Sequence, residues 1–243
     1  MSRKLSARRR QPAPAIEQNN ATGGISYWQD SANQSEADRD GVSLADYIHA
    51  MFAFLRQAKA KDVLMIGCGG GTLATMLRRV GVRVTIVDID EGSFEIARRY
   101  FHMPADVEAH VADGAAFLRR AAKRYDAIVL DAYDNGAIPG QFLKTRFFDL
   151  AKSRLKSRRS LFLVNIIVAD DADRTPDRIA RLMARTWRHV RLLDSDGWLD
   201  RNAVAAAGSV AKLKRPTLLM PPARGAKKFA ADLATLKFRK LRA

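Results

Sequence analysis

The chain of 243 residues has a single cysteine, Cys68, so an internal disulfide is excluded and a reducing compartment, the cytoplasm, is the expected setting. No run of 18 apolar residues occurs, so neither a membrane span nor a membrane partner is expected. The N-terminal MSRKLSARRRQPAP lacks the apolar core that a secretion signal needs. Four histidines, at 49, 102, 110 and 189, show no paired metal-ligand spacing, and no metal site is predicted. Neither a G-K-[ST] phosphate loop nor a G-x-S-x-G elbow is present, which removes the NTPase and α/β-hydrolase classes.

Acidic charge is also in short supply: 26 Asp and Glu against 42 Lys and Arg leave a net charge of +16. Residues 1–10 hold five basic and no acidic groups, and residues 211–243 ten basic and one acidic, so the body between them is nearly neutral. That reads as an enzyme with basic ends, whose attraction to nucleic acid is weak and non-specific. With 47% hydrophobic residues, the chain can bury one sizeable core. The expected divisions are a disordered basic arm (1–24), a lead-in segment and helix (25–60), an adenosyl-binding catalytic domain (61–210) and a basic C-terminal tail (211–243).

What the chain does contain is centred on residues 62–90, DVLMIGCGGGTLATMLRRVGVRVTIVDID. The pattern predicts a strand (63–67), a glycine turn, a helix (72–80) and a second strand (82–89) that ends in an acid, half of a nucleotide-binding α/β unit. Gly67, Gly69, Gly70 and Gly71 allow a sharp turn and a close approach of backbone to ligand. Asp88 is placed to accept from ribose hydroxyls. A dinucleotide fingerprint needs glycine at the sixth position counted from Gly67, where this chain has Thr72, so an adenosyl ligand without pyrophosphate fits better.

Further along, strands are predicted at 107–113, 127–132, 160–168, 190–194 and 203–209, with helices between the first six strands of the set. Upstream, residues 43–58 form a helix that Ser43 can cap, with Leu44, Ile48, Met51, Phe52 and Leu55 at helical spacing. Residues 216–243 read as a proline-broken loop and a basic amphipathic helix. The fold class is therefore α/β, a doubly wound, mostly parallel, seven-stranded sheet of Rossmann-like type with a short N-terminal extension. Ligands in such sheets sit beyond the carboxyl ends of the strands. Those ends carry Gly67 to Gly71, Asp88, Asp113 with Gly114, and Asp131 through Asp134. Asp131 and Asp134, three apart, can bind a cation or take a proton from an amine. Asp113 can accept from an adenine amino group or cap the following helix, while Tyr133 and Pro139 could wall the pocket.

Taken together, IGCGGGTL, VDID, Asp113-Gly114 and LDAYDNGAIP followed by FFDLAKSRL resemble the spermidine synthase family of polyamine aminopropyltransferases, which have the class I S-adenosylmethionine-dependent methyltransferase fold. The resemblance implies transfer of an aminopropyl group from decarboxylated S-adenosylmethionine to a diamine such as putrescine, with release of methylthioadenosine and no permanently bound cofactor. It implies Asp131 as proton acceptor, Asp134 as a second anchor for the small-molecule amine, Asp88 on ribose, Asp113 and Gly114 on adenine, and Pro139 at the pocket wall. Tyr47 and Gln34 would face the substrates. The chain departs from the family in its glycine loop, which lacks the aspartate of G-G-G-D-G, in Ile48-His49 after Tyr47, and in Asn135 where a proline is usual. The family's N-terminal β-domain is expected to be missing or much reduced, and a homodimer is allowed. Two alternatives stand: a methyltransferase that uses S-adenosylmethionine on another small amine, and a non-catalytic binding protein of the same fold.

Overall fold

The computed structural model describes residues 14–29 and 32–242. A small antiparallel sheet comes first, with β1 (Ala15–Asn19), β2 (Gly24–Gln29) and β3 (Ala32–Ala37) in that spatial order. Helix α1 (Asp46–Gln57) then leads into alternating elements: β4 (Asp62–Ile66), α2 (Thr72–Arg79), β5 (Arg83–Asp88), α3 (Glu91–Tyr100), β6 (Glu108–Val111), α4 (Gly114–Arg120) and β7 (Ala127–Leu130). After these come α5 (Thr145–Ser153), β8 (Leu161–Val168), α6 (Thr175–Ala184), β9 (Val190–Asp194), β10 (Arg201–Gly208), α7 (Ala226–Thr235) and β11 (Lys237–Arg239). The main sheet has eight strands in the order β11-β9-β10-β8-β7-β4-β5-β6.

Strands β4 and β7 are buried along their whole length, because helices cover both faces; each therefore reads as an unbroken apolar run instead of an alternation. One face packs Met51 of α1, Leu73 and Met76 of α2 and Phe94 of α3. The other packs Leu118 of α4, Phe148 of α5 and Met183 of α6. There Phe162 of β8 stacks on Trp187 at 5.0 Å, and Phe148 meets Phe162 edge-on at 5.8 Å. Each such pair adds about 0.5–1.5 kcal/mol to plain area burial. β5, β4, β7 and β8 run parallel, and β10 is antiparallel to both β8 and β9. The chain leaves β4 toward β5 and β6 and then returns to its other side for β7, so the order reverses beside β4. A crevice for ligands is expected there.

All seven expected strands lie in this sheet, and the structure adds an eighth. β11 comes from the expected basic tail and pairs antiparallel with β9. The tail is not free: Leu233 and Leu236 are buried, and Arg239 donates to Asp194 Oδ2 at 2.8 Å and to Asp177 at 2.9 and 3.0 Å. Both aspartates are buried; Arg239 is the cation on Asp177, and on Asp194 it joins Arg201, whose Nε donates to Oδ1 at 2.9 Å. The expected disordered arm also divides. Residues 1–13 lie outside the described residues, whereas Ala15–Asn19 forms β1. Two further strands follow: β2 alternates only briefly, burying Ile25 and Tyr27, and β3, ANQSEA, is polar. Ser43 does not cap α1; Ala45 holds the cap position, and Ser43 Oγ accepts from Ala45 N at 3.1 Å in a local turn.

Candidate active site

The glycine turn leaves β4 at Gly67, whose φ of +100° is open to glycine alone in practice. A Cβ at this position would lie 2.0 Å from the carbonyl oxygen of Asp131, so β4 and β7 touch through backbone at the crevice. Gly71, at φ +65°, is the residue before α2, where a Cβ would meet Met103 Sδ at 2.8 Å. The small N-terminal sheet closes over this turn. Ser35 Oγ accepts from Gly70 N at 2.8 Å and donates to Gln34 O at 2.6 Å. The same Gln34 backbone oxygen stands 3.2 Å from where a Cβ on Gly69 would be, which brings Gln34 beside the glycine loop.

Asp88 ends β5. Its Oδ2 accepts from Cys68 N at 2.7 Å and its Oδ1 from Asp90 N at 2.9 Å, so each oxygen keeps a lone pair for a further donor. Burial raises its pKa above the ordinary carboxylate value, against the effect of these backbone bonds. Next to it, Ile89 is 78% exposed, and Val111 at the end of β6 is 55% exposed. These exposed apolar residues at the strand ends are not revealed by periodicity. Asp113 does cap α4, accepting from Ala116 N at 2.7 Å, while its Oδ2 accepts from Gln141 at 3.0 Å. Gly114 packs where a Cβ would strike Ile66 Cγ2 at 2.5 Å. Pro139 is half-buried, and its carbonyl accepts from Phe142 N at 2.9 Å.

Asp131 follows β7 at the far side of the crevice. It is recessed: protein surrounds its carboxyl on most sides while part of the residue stays accessible. Burial pushes its pKa up to about 6, opposed by hydrogen bonding from Asn165 and by the neighbouring Tyr47 hydroxyl. Asn165 Nδ2 donates to Asp131 Oδ1 at 2.8 Å, and Asn202 Nδ2 donates to Asn165 Oδ1 at 2.9 Å. An ionised carboxylate only accepts, so Asn165 must turn its NH₂ toward it and its oxygen toward Asn202. Neither amide was singled out from the sequence. The available signal was an asparagine inside the otherwise apolar strand LFLVNIIV, since a buried polar residue there must have a partner.

Tyr47, one residue into α1, lies beside Asp131, and burial drives its phenol pKa well above the ordinary value. The Tyr133 hydroxyl is committed to β8: it donates to Asn165 O at 2.8 Å and accepts from Ile167 N at 2.9 Å. Asp134 stands apart on an exposed turn, where its backbone pairs with Ala137 and its carboxylate accepts from Asn135 Nδ2 at 2.9 Å. The crevice thus joins a glycine-lined, acid-ended half to a half that holds one recessed carboxylate of raised pKa.

This sheet, with its glycine turn and acid-ended second strand, is the class I S-adenosylmethionine-dependent methyltransferase fold. A probable spermidine synthase from Corynebacterium glutamicum shares the architecture, with a TM-score of 0.73 at 15% identity over 96% of this chain and 90% of that one. Residues 46–164 match the spermine/spermidine synthase domain, so that stretch of the chain is similar to the spermidine synthase family. A probable polyamine aminopropyl transferase from Bifidobacterium longum is 32% identical over 133 residues, 54% of this chain and 30% of that protein. An eEF1A lysine and N-terminal methyltransferase homolog from Drosophila melanogaster is 31% identical over 128 residues, 47% of this chain and 19% of that protein. The chain thus spans less than a third of the length of either relative.

Proposed function

We propose that the protein is a cytoplasmic aminopropyltransferase that moves the aminopropyl group of decarboxylated S-adenosylmethionine to an amine such as putrescine and releases methylthioadenosine. The observation that carries this reading is Asp131. An amine with a pKa near 10 attacks only after it has lost a proton, and a carboxylate of pKa about 6 that is already ionised at neutral pH can receive it. In the reaction the amine nitrogen bonds to the carbon beside the sulfonium, the carbon–sulfur bond breaks, and its electron pair stays on sulfur. The proton displaced from nitrogen passes to Asp131.

The nucleoside would lie along the first half of the crevice, with its ribose on Asp88, its adenine over Ile89 toward Asp113 and Gly114, and its sulfonium near Gly67 to Gly71. Each of these groups offers what the ligand needs: lone pairs, an exposed apolar residue and a backbone free of Cβ atoms. Pro139 would close the adenine end, and Gln34 and Tyr47 would cover the reacting centre. Asn165 holds Asp131 in orientation, and pre-oriented reactants supply much of the acceleration. Asp134 and Tyr133 would contact the acceptor from the loop side.

A second reading is favoured by the likeness to an eEF1A lysine and N-terminal methyltransferase homolog over 128 residues. The same crevice would then take S-adenosylmethionine and give up a methyl group. Incubating the protein with each nucleoside and a panel of amines, and identifying the product by mass, separates the two. Methylthioadenosine with a lengthened amine is the expected result. S-adenosylhomocysteine would replace the proposal with methyl transfer, and neither product with nucleoside binding intact would replace it with the non-catalytic reading.

A further inference from the structure

The positive charge of the chain is not spread over its surface. The helices of the main sheet end, and the parallel strands begin, at the edge opposite the crevice. The seven connections at that edge, residues 56–62, 78–83, 98–108, 119–127, 152–161, 185–191 and 208–215, together contain 23 Lys and Arg and four acids. The whole chain has 42 and 26, which leaves 19 basic against 22 acidic residues everywhere else. The positive charge is thus concentrated in these seven connections.

Two features show that this is more than helix-end chemistry. Cations at helix C-termini complement the macrodipole, and this accounts for Arg78, Arg79, Arg119 and Arg120. It does not account for Arg124, Arg158, Arg159 and Arg188, which lie beyond the helix ends in the connections to β7, β8 and β9 and are exposed. The four acids of the edge are also already engaged. Asp62 holds Arg83 and Lys156, Asp126 accepts from Lys61 N and Asp62 N, Asp106 pairs with Arg78, and Glu108 bonds Thr85, His110 and Lys123. Among the described residues, Arg124, Arg158, Arg159 and Arg188 make no ion pair.

We infer that this edge is a docking surface for duplex nucleic acid, held through its phosphate backbone. Arginine dominates the cluster, and its planar fork matches phosphate oxygens two at a time. Strands spaced by about 4.8 Å make the basic edge about 30 Å long, close to one helical turn of a duplex. No large hydrophobic residue is exposed in these connections among the described residues, which leaves neither an apolar anchor for a lipid surface nor an aromatic platform for single-stranded bases. The crevice opens on the opposite edge, so a bound duplex leaves substrate access free. This inference does not depend on which group the crevice transfers.

The test is fluorescence anisotropy of labelled 20-base-pair DNA and RNA duplexes across a salt series, using the full chain. About five phosphate contacts give a log–log salt slope near −5 and roughly a hundredfold loss of affinity between 50 and 150 mM salt. The variant Arg124→Gln/Arg158→Gln/Arg159→Gln should lower the slope magnitude by about 3 and weaken both duplexes alike, with an unchanged melting temperature and unchanged turnover. A second variant, with the five basic residues of 1–10 changed to Gln, should bind almost as wild type. Binding lost only in that second variant would place the contact on the N-terminal arm and overturn the inference. Retention of the full salt slope by the triple variant, or binding to phosphatidylserine vesicles in preference to either duplex, would also overturn it.

Discussion

The two halves of the crevice are built by different means. The half proposed for the nucleoside is shaped by backbone: Gly67 and Gly71 matter for the Cβ they lack, and the Asp88 carboxylate is held by the amides of Cys68 and Asp90. Its glycine turn and Asp88 come from one continuous stretch of β4, α2 and β5. The half proposed for the amine is made of side chains that meet only in the folded protein. Asp131 of the β7 end is joined by Tyr47 of α1, Asn165 of β8 and, through it, Asn202 of β10. The first half should therefore be sensitive to added volume, and the second to the direction of its hydrogen bonds.

Asp131→Asn tests the second half most severely. Turnover should fall about 10²–10⁴-fold while nucleoside affinity stays near wild type; a variant with undiminished turnover would remove the carboxylate from its proposed role. The same substitution has a second signature in stability. A carboxyl whose folded pKa is raised binds its proton more tightly folded than unfolded, so its presence costs stability as pH rises from 3.8 through about 6, and the cost is constant above that. Asp131→Asn should therefore melt at a higher temperature than wild type at pH 7.5, by about 1–3 kcal/mol of stability, and show no such gain at pH 4.

Gly67→Ala is the matching test of the first half. The new Cβ would press on the Asp131 carbonyl at a φ that alanine disfavours, and the expected loss is about 2–4 kcal/mol in a urea melt, with weakened nucleoside binding. A variant that binds and melts as wild type would mean that β4 and β7 need not approach so closely.

The amide pair sharpens the contrast further. Asn165→Ala removes a hydrogen bond that favours ionised Asp131, so the acidic limb of kcat/KM should move to higher pH than in wild type. Turnover should drop about tenfold at pH 7 and recover in part at pH 8.5, on the scale of one lost charge-assisted hydrogen bond. Asn202→Leu never touches Asp131, yet it frees the Asn165 amide to turn. A smaller shift in the same direction is expected, and an equal loss at every pH would reduce both residues to packing.

These differences also explain what the sequence could reveal. Gly67 to Gly71, Asp88 and the Asp113 cap were legible because each rests on neighbours within one α/β unit, and the buried runs of β4, β7 and β8 announce a covered parallel sheet. Asn165 and Asn202 were not legible, because their meaning lies in a contact between β8 and β10 across 37 residues. β11 was hidden for a related reason: three residues, Lys237–Arg239, form a strand where β9 offers an edge and buried Asp177 takes Arg239 as its cation. The N-terminal strands carry too little apolar alternation to be seen alone. Their hold on Gly70 comes from one serine, Ser35.

Asp134→Asn gives the smallest expected effect and decides where the amine half ends. Sequence spacing pairs this residue with Asp131, but their surroundings differ: Asp131 is recessed and held by an interior amide, while Asp134 is exposed and bonded to its neighbour Asn135. A carboxylate in water attracts a cation weakly, by about 1 kcal/mol or less. Neutralising it should raise KM for a diamine less than about fivefold and leave kcat and the acidic limb unchanged. A loss in kcat comparable to that of Asp131→Asn would instead mean that the 134–137 turn closes over the acceptor, extending the side-chain half of the crevice into the loop.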